Sequence, residues 1–228
     1  DLLLEISNAL KTIKKNKRIK VLIIDANGPS FCSGHDLKEI NSKNDKASYK
    51  KLFSLCSSVM LSIIKLDIPV IASVHSTATA AGCQLVATCD LAIASDKARF
   101  ATPGVNIGLF CSTPMVALSR NISKKHSMEM LLTGDLIDAL TAKEYGLINR
   151  VVPCRDLNDT VLEIAKKILK KSSKTIATGK KAFYEQLELG VSEAYKFTSE
   201  IMTNNMTEYN AQEGVDAFLQ KRPPVWKD

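Results

Sequence analysis

Residues 68–94, with the sequence IPVIASVHSTATAAGCQLVATCDLAIA, decide the fold class of this 228-residue chain. The continuous apolar run Val70–Val74 predicts a buried strand, and Pro69 stops the helical pattern that precedes it. Ala80–Ala87 is typical of a helix built from small residues, and Leu91–Ala94 predicts a further strand a few residues later. Strands that alternate with crossover helices are parallel and covered on both faces. The sequence therefore predicts an α/β fold.

The same alternation extends toward the N-terminus and stops near Pro153. Helical spacing of apolar residues begins at the first residues, a strand is expected at Val21–Ile24, and a second helical pattern runs to Leu66. We expect residues 1–153 to form the α/β core. Residues 154–228 have helical periodicity only, so we expect a helical region that packs on the core or mediates assembly, because its apolar stripes must be buried.

Composition is that of an ordinary soluble globular protein. Hydrophobic residues make up 45% and charged residues 24%, and no apolar run approaches the roughly 18 to 20 residues of a membrane-spanning helix. Six cysteines are scattered without a C-x-x-C pair or a metal-like cluster with the three histidines. They are expected to be reduced thiols in an intracellular compartment.

The formal net charge of +7 is concentrated in lysine clusters. Such clusters are usually solvated helix faces, and an anionic partner such as nucleic acid is the less favoured alternative. Lys11 and Lys15 lie four residues apart and would share one face of the first helix.

Two glycine-containing loops are candidates for ligand binding: Phe31–Glu39 after the first strand and Ala78–Gln84 after the second. Small residues let the backbone approach a ligand, and the second loop opens into a helix whose first amides point outward. Two convergent N–H donors would form an oxyanion hole, at roughly 3 to 4 kcal/mol per donor. Tight helix packing is the alternative explanation for the small residues.

Seven motifs follow one another along the chain: FCSGHDLKE (31–39), IPVIASV (68–74), AAGCQLVATCD (80–90), FATPGVNIG (100–108), MEMLLTGD (128–135), AKEYGLINRVVP (142–153) and EGVDAFLQKRPPVW (213–226). Together and in this order they resemble the enoyl-CoA hydratase/isomerase (crotonase) family. The resemblance implies a crotonase (ClpP-like) spiral of ββα units with a helical C-terminal trimerisation region. The family usually has a further strand and hairpin before the first helix, which this sequence does not include.

The resemblance also implies a site for a coenzyme A (CoA) thioester. It places the backbone N–H groups of His35 and Ala81 at the thioester oxygen. It assigns CoA binding to Ser33, Asp36, Leu37, Lys38 and Lys221. No metal and no tightly bound cofactor is expected. The His35 imidazole is more often a packing group than a base at such a position, although its ordinary pKa keeps the second role open.

Three positions depart from the pattern of the active family members. Hydratases place glutamates where this chain has Gln84 and Gly104, and a glutamine cannot take a proton from water. We therefore do not expect ordinary hydration. Decarboxylases of the family carry a tyrosine where Cys111 stands, and this thiol is either a nucleophile or, more in keeping with its surroundings, buried and inert.

Several functions remain open on these grounds. Enolate chemistry on an acyl-CoA, such as decarboxylation or thioester hydrolysis, is the leading hypothesis. A non-catalytic acyl-CoA-binding or regulatory protein is the alternative, and RNA binding is the least favoured. The resemblance further implies fatty acid metabolism, a homotrimer or hexamer, no membrane partner, and a mitochondrial rather than cytoplasmic location.

Overall fold

A computed structural model of the chain describes residues 2–43 and 45–227. Within them, seven strands form two sheets. The strands are β1 (Leu22–Ile24), β2 (Val70–Val74), β3 (Ala78–Thr79), β4 (Leu91–Ser95), β5 (Arg99–Ala101), β6 (Ile137–Asp138) and β7 (Arg150–Val152). The larger sheet has the order β1-β2-β4-β7 and is parallel throughout. The smaller sheet has the order β3-β5-β6, with β3 parallel and β6 antiparallel to β5.

Eleven α-helices surround these sheets in the described residues. They are α1 (Leu2–Lys15), α2 (Leu37–Lys43), α3 (Lys46–Ile64), α4 (Ala81–Thr88), α5 (Pro114–Asn121), α6 (Lys124–Thr133), α7 (Ala139–Tyr145), α8 (Leu157–Leu169), α9 (Ser173–Gln186), α10 (Val191–Met206) and α11 (Tyr209–Leu219). Short 3₁₀ helices occupy Pro103–Ile107 and Cys154–Asp156. The predicted α/β class is confirmed.

The central strand β2 separates the two halves of the core. Val70, Ala72 and Val74 belong to the main cluster, which includes residues of α1, α3 and α4. Ile71 points to the opposite face and packs with Ile93 and with Leu157, Val161 and Ala165 of α8. Because successive side chains of a strand point to opposite faces, burial of all five β2 residues requires cover on both sides.

The helices after Val152 attach to this sheet through α8 and α9. A buried Lys180 on α9 donates from Nζ to the Asp90 carboxylate at 2.6 Å and to the carbonyls of Ile63 and Ile68 at 3.2 and 2.9 Å. Tyr184, one turn later, donates to the same carboxylate at 2.8 Å. These bonds hold α9 against the end of α3 and the start of β4.

Candidate functional site

The two glycine-containing loops lie side by side in the structure. Cys32 forms a parallel bridge with Ala78. The backbone nitrogen of Thr79 donates to the Cys32 carbonyl at 2.9 Å, and its hydroxyl donates to the Ser33 carbonyl at 3.2 Å. The loop after β1 is therefore tied to the segment that leads into α4.

Two glycines set the spacing between these segments. A Cβ atom added to Gly82 would lie 2.0 Å from the Cys32 carbonyl oxygen, so α4 fits against the loop only with glycine at this position. Gly34 has φ +99°, and a Cβ there would lie 3.0 Å from the Ala80 Cβ and 3.4 Å from the Ala81 nitrogen. The backbone just before His35 therefore contacts the first turn of α4.

The amide groups of His35 and Ala81 have no hydrogen-bond acceptor among the described residues. Ala81 is the first residue of α4, where backbone N–H groups lack intrahelical partners. Its orientation is set by Ala80, a non-glycine residue at φ 51° and ψ −117°. The Ala80 nitrogen donates to the Ala101 carbonyl and its own carbonyl accepts from Gln84, each at 3.0 Å. Such backbone strain, of order 1 to 3 kcal/mol, persists where the surroundings fix it.

The His35 side chain contacts α3. Its ring meets the Phe53 ring edge-on, with centroids 5.8 Å apart. Burial lowers the pKa of the His35 imidazole from its ordinary value, and the negative charge of Glu39 partly opposes this shift. The edge-on contact with Phe53 supports a packing role for the ring.

Gln84 lies on the wall of the site formed by α3 and α4. It is 5% exposed, and its Oε1 accepts a hydrogen bond from the Cys56 thiol, with a sulfur-to-oxygen distance of 3.8 Å. Its Nε2 has no acceptor among the described residues and is not among their fully enclosed polar atoms. Cys56 and Phe53 were not found from the sequence, because both belong to an ordinary apolar helix face without a motif.

Gly104 has no room for any side chain. An added Cβ would lie 2.1 Å from the Leu109 carbonyl oxygen and 2.9 Å from the Cys111 sulfur. The Leu109 nitrogen donates to the Gly104 carbonyl at 2.9 Å, and the Gly104 nitrogen donates to the Cys111 sulfur at 3.3 Å. The segment from Gly104 to Cys111 is thus folded back on itself, and its own backbone fills the position of a side chain.

The Cys111 thiol is 7% exposed. Burial raises its pKa, and the Gly104 N–H partly opposes the shift. Cys83 is also near it: burial, with a smaller effect of Cys111, raises the Cys83 pKa to about 12. Both thiols stay protonated at pH 7, which favours the inert alternative for Cys111 over a nucleophile.

Two other polar side chains of this segment, those of Asn106 and Ser112, have their contacts elsewhere. The Asn106 side chain lies against Gly134 at the end of α6, about 3.1 Å from the position of an added Cβ. The Ser112 hydroxyl donates to the Phe110 carbonyl at 3.3 Å and is exposed. Neither observation places these groups beside Gln84.

Four of the five residues assigned to CoA binding lie together: Ser33, Asp36, Leu37 and Lys38. Asp36 caps α2, since its Oδ1 accepts from the backbone nitrogens of Lys38 and Glu39 at 2.8 and 3.2 Å. Lys221 is separate. It follows α11 with φ 54°, and no hydrogen bond or ion pair of the described residues connects it to this loop.

A groove of about 530 Å³ lies away from these loops, between α9, α11 and the C-terminal tail. Its lining is largely apolar and includes Ile176, Val215, Phe218 and Trp226.

Among the described residues, no group of three or more His, Cys, Asp or Glu side chains is placed to hold a metal ion. No helix in the described part of the chain has the length and apolar character needed to cross a membrane.

The fold and the paired loops define a class that comparison with known proteins identifies. Residues 1–228 match the enoyl-CoA hydratase/isomerase family model, so the chain belongs to the enoyl-CoA hydratase/isomerase (crotonase) family. Within it, the chain is similar to mitochondrial enoyl-CoA hydratase domain-containing protein 3. The Rattus norvegicus protein is 50% identical over 212 residues, covering 93% of this chain and 71% of that protein. The Homo sapiens protein is 50% identical over 208 residues, covering 91% and 69%.

Solved structures agree with this assignment. Human enoyl Coenzyme A hydratase domain-containing protein 3 superimposes with a TM-score of 0.93 at 47% identity, covering 98% of this chain and 90% of that one. An enoyl-CoA hydratase from Mycobacterium smegmatis gives a TM-score of 0.96 at 47% identity, covering 98% and 87%. The predicted crotonase fold is confirmed. The motifs at residues 33–36 and 101–114 predict a likeness to enoyl-CoA hydratase domain-containing protein 3, and this prediction is also confirmed.

Proposed function

We propose that this chain binds an acyl-CoA thioester and stabilises negative charge on the thioester oxygen through the backbone N–H groups of His35 and Ala81. One observation carries the proposal. These two amides lack protein acceptors, and they belong to segments that Gly34 holds in contact at the start of α4. Fixed donors at such a position stabilise an enolate by roughly 3 to 4 kcal/mol each.

Ordinary hydration of an enoyl-CoA is not expected from this site. Family hydratases carry glutamates where this chain has Gln84 and Gly104. Gln84 can orient a water molecule but cannot accept its proton, and the space beside Gly104 is filled by the Leu109 carbonyl. No hydrogen bond or ion pair of the described residues brings a carboxylate to either position.

Enolate chemistry that needs no carboxylate fits this donor set better. In a decarboxylation, the bond to the departing carboxylate breaks and its electron pair enters the enolate. The two amides stabilise the resulting charge on oxygen until water protonates the α-carbon. Thioester hydrolysis is the related alternative, in which the same amides stabilise the tetrahedral oxyanion.

A non-catalytic acyl-CoA-binding role is the second candidate. The protonated Cys111 thiol and the filled space at Gly104 support it, because both remove groups that could act on a bound acyl chain. It predicts binding of CoA esters without products from any of them.

An assay of crotonyl-CoA hydration, measured as the loss of the conjugated enone absorbance, tests the expectation that ordinary hydration is absent. We expect a rate at least ~10² to 10⁴ below that of a glutamate-bearing hydratase measured alongside, because a lost general acid or base costs about this factor. Turnover close to the reference enzyme would contradict the account. Calorimetric titration with butyryl-CoA, a saturated ester that cannot be hydrated, tests binding independently.

We also propose a homotrimer, or a pair of trimers, assembled through the C-terminal helices, and a mitochondrial location. Exposed apolar side chains on α9 to α11 support the assembly; they include Phe183, Tyr195, Met202 and Phe218, with 57%, 72%, 70% and 82% exposure. The names of the rat and human relatives support the compartment. Light scattering of the wild type and of Phe218→Glu tests the assembly: a monomeric wild type would overturn it. Imaging of a tagged natural protein tests the compartment.

A further inference from the structure

The Gln84 side chain presents its two polar atoms to different surroundings. Oε1 faces Cys56 on α3 and accepts the thiol hydrogen bond. Nε2 has no acceptor among the described residues and is not fully enclosed, although the residue as a whole is only 5% exposed. An amide donor in this position is available to a ligand or to water.

Cys56 fixes this orientation of the amide. The thiol is fully buried, and burial raises its pKa to about 11, with a smaller effect from Cys32. It therefore keeps its proton at pH 7 and acts as a hydrogen-bond donor. A donor selects the oxygen of the amide over the nitrogen, so Nε2 is held on the side away from Cys56.

Gln84 also shares a helix face with one of the two unpaired amides. It follows Ala81 by three residues on α4, which places the two on neighbouring turns of one face, roughly 4.5 Å apart along the axis. On α3, Cys56 follows Phe53 by the same spacing, and Phe53 contacts the His35 ring. The two amides and Gln84 therefore belong to one continuous wall of loop, α3 and α4.

Building on the acyl-CoA binding proposed above, we infer that the site selects acyl groups with a second acceptor oxygen on the third acyl carbon. That oxygen, in a 3-oxo or 3-carboxyl group, accepts a hydrogen bond from Gln84 Nε2, and Cys56 is the positioning residue that orients the donor. The site then offers three donors, and a plain hydrocarbon chain would leave the third without a partner.

Dissociation constants for butyryl-CoA, acetoacetyl-CoA and malonyl-CoA test this inference on the full chain. Stopped-flow displacement of a fluorescent CoA ester measures them before any turnover. We expect the ketone ester to bind about 5-fold and the carboxylate ester about 10-fold or more tightly than butyryl-CoA. Comparison of acetoacetyl-CoA with malonyl-CoA shows whether the site prefers a ketone oxygen or a carboxylate oxygen.

Substitutions separate the roles of the two residues. Gln84→Met should abolish the preference, so that the dissociation constants of the three esters on this variant become about equal. In Gln84→Glu the new carboxylate should repel the malonyl carboxylate, so that malonyl-CoA binds more weakly than butyryl-CoA. Cys56→Ala should weaken the preference, and Cys56→Ser, which keeps a donor, should restore it. Each preference is the ratio of the dissociation constants of two esters for the same variant. A general loss of stability weakens both constants together and therefore does not produce a change in this ratio.

Equal binding of all three esters by the wild type would overturn the inference and leave the acyl-CoA proposal standing. A preference that survives Gln84→Met would also overturn it. Failure of every ester to bind would overturn both proposals together.

Discussion

The backbone nitrogen of Gly104 donates a hydrogen bond to the sulfur of Cys111 across 3.3 Å. The Leu109 carbonyl lies between the same two residues in sequence and occupies the space that a side chain at Gly104 would need. The segment is therefore compatible with glycine and not with a larger residue.

Substitution of Gly104 should destabilise the fold without creating a hydratase. Gly104→Ala should lower the free energy of unfolding by about 1 to 3 kcal/mol, because an added methyl group meets backbone that cannot give way cheaply. Gly104→Glu should lower it further and still fail to hydrate crotonyl-CoA. Urea denaturation and the enone assay measure the two effects.

Gly179→Ala is the matched control for this series. Gly179 lies within α9, and an added Cβ there would meet no atom within 4 Å. Alanine is the better helix former, so stability should hold or rise by up to about 1 kcal/mol. A Gly104→Ala protein as stable as the Gly179→Ala protein would refute the packing described for residues 104–111.

The buried thiols should make the protein less stable at alkaline pH. Burial raises the pKa of Cys56 and Cys83 from the ordinary thiol value to about 11 and about 12. Above the unfolded-state pKa, the unfolded chain loses these protons first, so their contribution to stability is complete below about pH 9 and is lost toward pH 12. Unfolding free energies measured between pH 8 and 11 should fall, and Cys83→Ala should show a shallower fall. An unchanged slope in that variant would contradict the assignment.

Removal of Lys180 should be strongly destabilising. Lys180→Met leaves the Asp90 carboxylate without its buried cation and should cost about 3 to 5 kcal/mol in unfolding free energy. Lys43→Met removes an exposed ion pair with Glu39 and should change stability little. Similar losses in the two variants would mean that the Asp90 pair does not hold α9 in place.

The sequence predicts the long, regular parts of this fold well. Strand β2 coincides with the predicted run Val70–Val74, because a strand buried on both faces is apolar at every position. Strands β3, β5, β6 and β7 have no counterpart among the predicted strands. Each has two or three residues, and their pairing depends on contacts between distant parts of the chain. Periodicity over so few residues carries little information.

In the candidate site, too, some features can be predicted from the sequence and others cannot. Family motifs point to His35, Ala81, Gln84 and Gly104, but no motif indicates that Cys56 orients Gln84 or that Leu109 fills the space beside Gly104. Those relationships arise from packing between separate elements. The domain boundary at Pro153 and the role of Lys221 in CoA binding remain predictions.

The N–H group of Ala81 can be removed selectively by a proline at this position. Proline is tolerated at the first residue of a helix, so Ala81→Pro deletes the N–H without breaking α4. Ala80 has a positive φ, and a proline at position 81 would restrict its backbone further. The proline is therefore combined with Ala80→Gly, which tolerates this conformation. The double variant is compared with Ala80→Gly alone.

The decisive measurement is the absorption maximum of a bound, conjugated aryl-enoyl-CoA, which moves to longer wavelength when the thioester carbonyl is polarised. We predict a red shift in the wild type and in Ala80→Gly, and its loss in the double variant while the ester remains bound. An equal red shift in both variants, or none in the wild type, would contradict the claim that these amides polarise the carbonyl.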